Sequence, residues 1–360
     1  EQGVIRRGGF DVYGSVRVRA RHQEAEWDLQ DGSSRLGAET DWEFRHNRRL
    51  FARGEMGFNV LSGFDSLSNP GQNAGEELQN SLFTRLLYGG IELPPYNVIF
   101  GKNWSTYYEV ASFTDRFMGL GASASGTFNA DTDGGPTGTG RADLALQLKT
   151  AADFLPHVVF KPYDLNLQLQ YGNEIPFAND ARYGLGFGAS ATMTTYQGHR
   201  FGLAYNSAYI DLDENPELRA IGLDGSAHAA LLGYRNYGER WYAGVVISRL
   251  VNHEATDEGI YFDGWGSELY GQFQVAKRFW LVGGYNVLLP DSGEDQAGDY
   301  RVGYGIAGLR FTFQEFRRMI FINVRLDSSR NQDGTSGSNV FTVGIRWDLS
   351  RRGFHLGDEN

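Results

Sequence analysis

Residues 10–21 read Phe10-Asp11-Val12-Tyr13-Gly14-Ser15-Val16-Arg17-Val18-Arg19-Ala20-Arg21. Phe10, Val12, Gly14, Val16, Val18 and Ala20 share one parity. Asp11, Tyr13, Ser15, Arg17, Arg19 and Arg21 share the other. Successive side chains of a strand point to opposite sides, so this stretch is a strand with one apolar and one charged face. Further on, Leu36, Ala38, Thr40, Trp42 and Phe44 alternate with Arg35, Glu39, Asp41, Glu43 and Arg45. After the short connector His46-Asn47-Arg48-Arg49, the run Leu50 to Phe58 puts Arg53 and Glu55 on its polar side. The rhythm recurs at 81–92, 97–104, 141–149, 164–172, 182–195, 199–210, 226–237, 240–251, 260–275, 278–289, 299–313, 318–327 and 339–349. About sixteen strands in 360 residues leave roughly 22 residues for each strand and its connection, a spacing that suits a transmembrane antiparallel β-barrel. Short connectors such as 46–49 and 314–317 alternate with long polar ones at 60–79, 105–140, 211–225 and 327–338.

Composition agrees. The chain has 48 Gly, 4 Met and 9 Pro, and aromatics make up 14%. Gly weakens helix interiors and aromatics favour strands. The formal charge of −11 argues against nucleic acid as a partner, because phosphate binding needs a basic face. A hydrophobic share of 41% argues against disorder. The absence of Cys excludes disulfides, thiolate zinc sites and a Cys nucleophile. No apolar run is long enough for a transmembrane helix, but a barrel hides its apolar residues in alternate positions. The start, Glu1-Gln2-Gly3, reads as a mature end from which a targeting segment has been removed. A soluble β-sandwich also alternates, but sixteen strands are too many for one sandwich. Phe10, Tyr13, Trp42, Tyr88, Tyr96, Trp104, Tyr171, Tyr183, Trp241, Trp280, Tyr300 and Trp347 lie near strand ends, where a membrane barrel carries aromatic girdles.

Several stretches in the first 150 residues resemble the general diffusion porins of Gram-negative outer membranes. They are Asp11-Val12-Tyr13-Gly14, Ser34-Arg35-Leu36-Gly37, Thr84-Arg85-Leu86-Leu87-Tyr88-Gly89-Gly90-Ile91, Phe100-Gly101-Lys102-Asn103-Trp104, Tyr107 to Asp115 and Gly140-Arg141. The resemblance implies a sixteen-stranded barrel over 1–350, a homotrimer in the outer membrane, and passage of small hydrophilic solutes. It implies that the third loop, 105–140, folds into the lumen and narrows it. Tyr107, Tyr108, Glu109, Phe113, Asp115 and Arg116 are its candidate constriction residues. By matched position Arg35, Arg85 and Arg141 are wall arginines of a basic ladder. Arg17, Arg19 and Arg53 join them through the polar faces of their strands. The chain departs from the family at the loop tip, Met118-Gly119-Leu120-Gly121-Ala122-Ser123-Ala124-Ser125, which has no acid. A net positive eyelet that prefers anions or neutral solutes is expected, because like charges at a constriction set the field there. The runner-up is a substrate-specific channel for anionic or sugar ligands, with Tyr107, Tyr108 and Phe113 as a stacking track. The closing strand carries Phe341, Val343, Ile345 and Trp347 and runs to Leu349. Residues 351–360 are read as a tail: an extension, a further strand segment or a vector remnant.

Other motifs have plainer readings beside the chemical ones. Gly303-Tyr304-Gly305-Ile306-Ala307-Gly308 fits a dinucleotide fingerprint, which requires a following helix; alternation makes it a Gly-rich wall strand instead. Asn129, Asp131 and Asp133 form half of a weak Ca²⁺ loop or a solvated turn. A barrel lipase or protease would need an activated nucleophile, for which His228 with Ser226 or His253 with Asp257 are the partial sites. No G-x-S-x-G occurs, so an enzyme is not expected. The acidic runs Asp211–Glu214 and Asp291–Asp295 are solvated loop tips or, through divalent cations, contacts to lipopolysaccharide.

Overall fold

The computed structural model describes residues 7–45, 47–61, 82–152, 163–178, 180–313 and 317–356. Seventeen strand segments form one sheet. They are β1 (Arg7–Gln23), β2 (Glu26–Asp31), β3 (Ser34–Arg45), β4 (Arg48–Phe58), β5 (Leu82–Leu93), β6 (Tyr96–Trp104), β7 (Arg141–Ala152), β8 (Tyr163–Tyr171) and β9 (Leu185–Thr194). There follow β10 (Arg200–Ala208), β11 (Ala227–Gly238), β12 (Trp241–Ala255), β13 (Tyr261–Ala276), β14 (Phe279–Pro290), β15 (Val302–Phe313), β16 (Arg318–Asp327) and β17 (Val340–Leu356). From β3 onward each strand pairs antiparallel with the next, and β17 pairs with β1 from Gly8↔Leu356 to His22↔Phe341. β2 and β3 share one stave. β1 pairs with β2 over Val18–Gln23 and with β3 over Arg7–Ser15, and Gly32 N donates to Arg17 O (2.8 Å) at the break. The result is a closed antiparallel barrel of sixteen staves. Closure leaves no open sheet edge along the staves, a requirement for a strand structure in lipid.

The two faces are inverted relative to a soluble protein. Leu87, Phe100, Leu146, Leu167, Leu203, Leu232, Leu269, Leu281 and Ile322 are all exposed. On the opposite parity Asn103, Gln147, Gln168, Asn206, Ser248, Glu268, Asn286, Asn323 and Thr342 are buried. Exposed rings mark both ends of the apolar band, with Trp42, Tyr96, Trp241, Phe279 and Trp347 at the short turns and Trp27, Tyr171, Tyr209 and Trp265 towards the long connections. Half of the expected girdle is placed elsewhere. Tyr183 and Trp280 are buried, Tyr300 packs against the buried apolar cluster, and Tyr13, Tyr88 and Trp104 line internal cavities.

Three further stretches bear on the sequence reading. Glu26–Asp31 was not foreseen as a strand, although Trp27 and Leu29 carry its outward alternation; the break at Gly32-Ser33 isolates it. Of the readings offered for 351–360, the further strand segment fits 351–356, where β17 continues through Leu356 against β1; residues 357–360 lie outside the described residues. Gly303–Gly308 sits inside β15 with no helix after it, in line with the wall-strand reading. Of the long connector at 60–79, residues 62–79 lie outside the described residues, as do 314–316 of the short one.

The largest apolar cluster joins the connection between β6 and β7 to the wall. Tyr107, Val110, Ala111, Phe113 and Ala124 pack on Ala204, Ala229, Leu231, Val246, Leu250, Phe262 and Leu288. A second cluster lies under the other long connections and contains Ile175, Tyr183, Ile210, Leu218, Leu223 and Tyr261.

Candidate functional site

Segment 105–140 begins with one helical turn, α1 (Tyr108–Ala111), and is fastened to the polar face of the wall. Tyr242 OH donates to Phe113 O (2.7 Å) and Ser248 Oγ to Ala124 O (2.8 Å). The buried Glu268 carboxylate accepts from Ala124 N (2.9 Å), Ser125 N (2.8 Å) and Thr114 Oγ1 (2.6 Å). Amide side chains continue the fastening, with Asn206 donating to Thr137 O (2.8 Å) and Gln168 to Gly138 O (3.0 Å). Two glycines make the approach close enough. A Cβ at Gly233 would lie 2.5 Å from Val110 Cγ1, and one at Gly266 would lie 1.7 Å from Ala124 O. Part of the glycine excess is therefore a landing strip for this segment.

Across from the landing strip a cavity of about 410 Å³ remains. Its wall carries Arg17 and Arg19 of β1, Arg35 of β3, Arg85 of β5, Arg141 of β7 and Arg346 of β17. The segment contributes Tyr108, Asp115, Arg116 and the tip from Phe117 to Ala122. Seven arginines thus face a single carboxylate, Asp115. Arg19 Nη1 spans to the tip and donates to Gly119 O (2.6 Å). Arg116 lies over the Tyr242 ring with Cζ at 4.1 Å, and its carbonyl accepts from Arg310 Nη2 (2.7 Å). Trp104 and Tyr108 stack at 3.9 Å, and Tyr108 OH donates to Asp115 Oδ2 (2.8 Å). Burial pushes the Asp115 carboxyl above the usual carboxylate range, and burial with the neighbouring Asp115 raises the Tyr108 hydroxyl.

A second cavity of about 530 Å³ shares Arg35, Trp104, Tyr108 and Arg346 with the first and extends to Tyr13, Arg53, Glu55, Tyr88, Arg317 and Asp348. Glu55 accepts from Arg85 Nε (2.9 Å) and Tyr13 OH (3.0 Å), with Arg53 at 3.6 Å and Arg35 at 3.9 Å. One carboxylate thus organises three arginines without cancelling them.

Arg85 enters this group by a bulge. Glu55 opposes Leu86 and Met56 opposes Thr84, so Arg85 is the extra residue and turns to the polar side with Leu86. Strict alternation from Tyr88 would have sent it to the apolar side.

No protein-family model and no curated protein matches the chain. Solved structures do match. OmpF of Salmonella typhi, in complex with daunomycin, is 18% identical, with 94% of this chain and 97% of that one covered at a TM-score of 0.74. OmpT of Vibrio cholerae in its trimer form is 13% identical, with 95% and 99% covered at 0.65. The anion-selective porin from Comamonas acidovorans is 13% identical, with 95% and 100% covered at 0.68.

The chain has the porin fold.

Within that porin fold the expected site residues separate into groups. Arg17, Arg19, Arg35, Arg85, Arg141, Tyr108, Asp115 and Arg116 converge on the first cavity, whereas Arg53 lies only in the second. Glu109 turns away, pairs with Lys149 and lines a third cavity with Asp164 and Asn166. Tyr107 and Phe113 are fully buried against the wall, so they cannot form a stacking track. Arg346 and Trp104 were missed, although Arg346 shows the inward parity between Ile345 and Trp347.

The Ca²⁺ reading fails. Asp133 is taken by Lys102 (3.1 Å) and Arg141 (3.4 Å), and Asn129 is buried and accepts from Thr137 Oγ1 (2.8 Å). No metal-holding group of three or more His, Cys, Asp or Glu occurs among the described residues. His228 pairs with Tyr205 OH (2.8 Å), and His253 lies 3.4 Å from Glu254 rather than at Asp257, which accepts from Gln332 N. In the acidic runs, Asp211 caps its own turn and Asp291 pairs with Arg249 (2.8 Å).

Proposed function

We propose that this chain is a passive porin of a Gram-negative outer membrane, trimeric, with a preference for anions. The single observation that carries the reading is the cavity where seven arginines meet one carboxylate. Arg35 and Arg85 share Glu55, Arg141 meets Asp133 and Arg346 meets Asp348, yet an excess of positive charge remains and acts on whatever passes. Low-dielectric walls focus that field, which concentrates anions in the narrow water-filled bore and repels cations. Segment 105–140, pinned to one side of the wall, narrows the bore and sets the size limit. Hydrogen bonding through Glu268 and the buried amides keeps that limit fixed during transport. Solutes move down their gradients, with no covalent step and no energy coupling. The trimer is proposed from the fold shared with OmpT, whose structure is described in a trimer form. Acidic outer connections add the surface that divalent cations bridge to lipopolysaccharide. The substrate-specific alternative loses its support with the burial of Tyr107 and Phe113.

Liposome swelling tests the reading. Small dicarboxylates should enter faster than diamines of equal size, with rates linear in concentration. Faster entry of the diamines would contradict it.

A further inference from the structure

On the apolar outside of the barrel, a groove of about 440 Å³ opens at the short-turn end across β15, β16 and β17. Its floor includes Ile320 and Ile345, paired across β16 and β17 and both exposed. Phe313, Trp347, Arg278 and Arg318 line it, together with Met319 and Arg346 of the inward parity. Arg318 sits directly opposite Trp347 and lies over its ring, with Cζ 4.0 Å from the ring centre. A guanidinium over a ring face keeps N–H donors for other acceptors, and among the described residues the Arg318 guanidinium has no hydrogen-bond acceptor.

Several arginines elsewhere near strand ends meet carboxylates. Arg49 pairs with Glu92 (2.6 Å), Arg200 with Asp164 (2.9 Å) and Arg249 with Asp291 (2.8 Å). Neither Arg278 nor Arg318 meets a carboxylate among the described residues. Two guanidiniums without a carboxylate partner among the described residues, above an apolar floor at the level of the aromatic girdle, complement an anionic head on an acyl chain.

We infer that this groove holds one membrane phospholipid. Its phosphodiester lies between Arg278 and Arg318, and an acyl chain runs along Ile320 and Ile345 towards Ile322. The inference rests on the membrane-barrel reading above. It concerns the outer surface, not the bore.

The full chain, extracted in mild detergent from membranes containing phosphatidylglycerol, is weighed by native mass spectrometry. One phospholipid per barrel is expected to survive washing that strips the rest. In R278Q/R318Q retention should fall roughly thirtyfold, each basic group near a lipid surface counting for a factor of about five. R240Q is the control, because the Arg240 guanidinium already donates to Gln274 O (3.0 Å), and it should retain lipid like the parent. Undiminished retention in R278Q/R318Q overturns the proposal. So does displacement of the lipid by inorganic phosphate alone, which would mark a free-oxyanion site. Loss of subunit association in that variant, with no lipid held by the parent, would give the groove to a second copy and also overturn it. The double variant should keep parental conductance. A chain that binds lipid but conducts nothing would contradict the channel reading while leaving the groove assigned.

Discussion

Arg85 and Arg17 carry the same charge in the same cavity, but their surroundings differ. Arg85 donates to Glu55 at 2.9 Å, whereas Arg17 donates from Nε to Ser15 Oγ (2.8 Å) and among the described residues has no carboxylate in hydrogen-bond contact. R17A should therefore lower anion preference more than R85A, as read from reversal potentials. E55Q should raise it, since it removes a negative charge and leaves Arg35, Arg53 and Arg85 unbalanced. Asp115 supplies a pH dependence. Its carboxyl is raised by burial, so on acidification it takes up a proton earlier than an ordinary aspartate. The cavity then gains positive charge, and anion preference should rise as pH falls through that raised range. D115N should hold the higher preference at all pH values, and a parental slope surviving in D115N would refute the assignment. At this scale the wall arginines were legible because strand parity fixes their side. Arg85 reached the right side only through a bulge, which periodicity cannot show. Tyr107 and Phe113 were misread because a loop has no parity to say which way its rings turn.

Segment 105–140 behaves as an element in its own right, held by carbonyls, amides and the wall carboxylates Glu268 and Glu254 rather than by strand pairing. E268A removes the acceptor for Thr114 Oγ1, Ala124 N and Ser125 N together. Loss of buried hydrogen bonds to a charged group should cost roughly 2–3 kcal/mol. Single-channel recordings should then show frequent current fluctuations where the parent is steady. G266A should act in the same direction by overpacking, at about 1–3 kcal/mol, because its methyl would meet Ala124 O. Steady parental currents in both variants would show that the segment is held by other contacts. The length and position of this segment were readable from the sequence. Its attachment was not, since buried amides such as Gln168 and Asn206 look like ordinary polar strand residues until their partners are known.

For the molecule as a whole, the strand rhythm was the most legible property, because a closed barrel imposes one period on every stave. Staves of uneven make-up escaped it, such as the one broken at Gly32-Ser33. The inverted faces yield a test of assembly. L203R places a charge on the exposed apolar side of β10 and should cost about 2–4 kcal/mol near the bilayer midplane, seen as reduced heat-modifiable barrel in membranes. A soluble protein would tolerate or welcome that change. The most direct measurement is the zero-current potential of the full chain in a planar bilayer, with potassium chloride ten times more concentrated on one side. A guanidinium-lined bore should give the sign set by chloride, diminished in R17A/R141A. A potential of the sign set by potassium would contradict it.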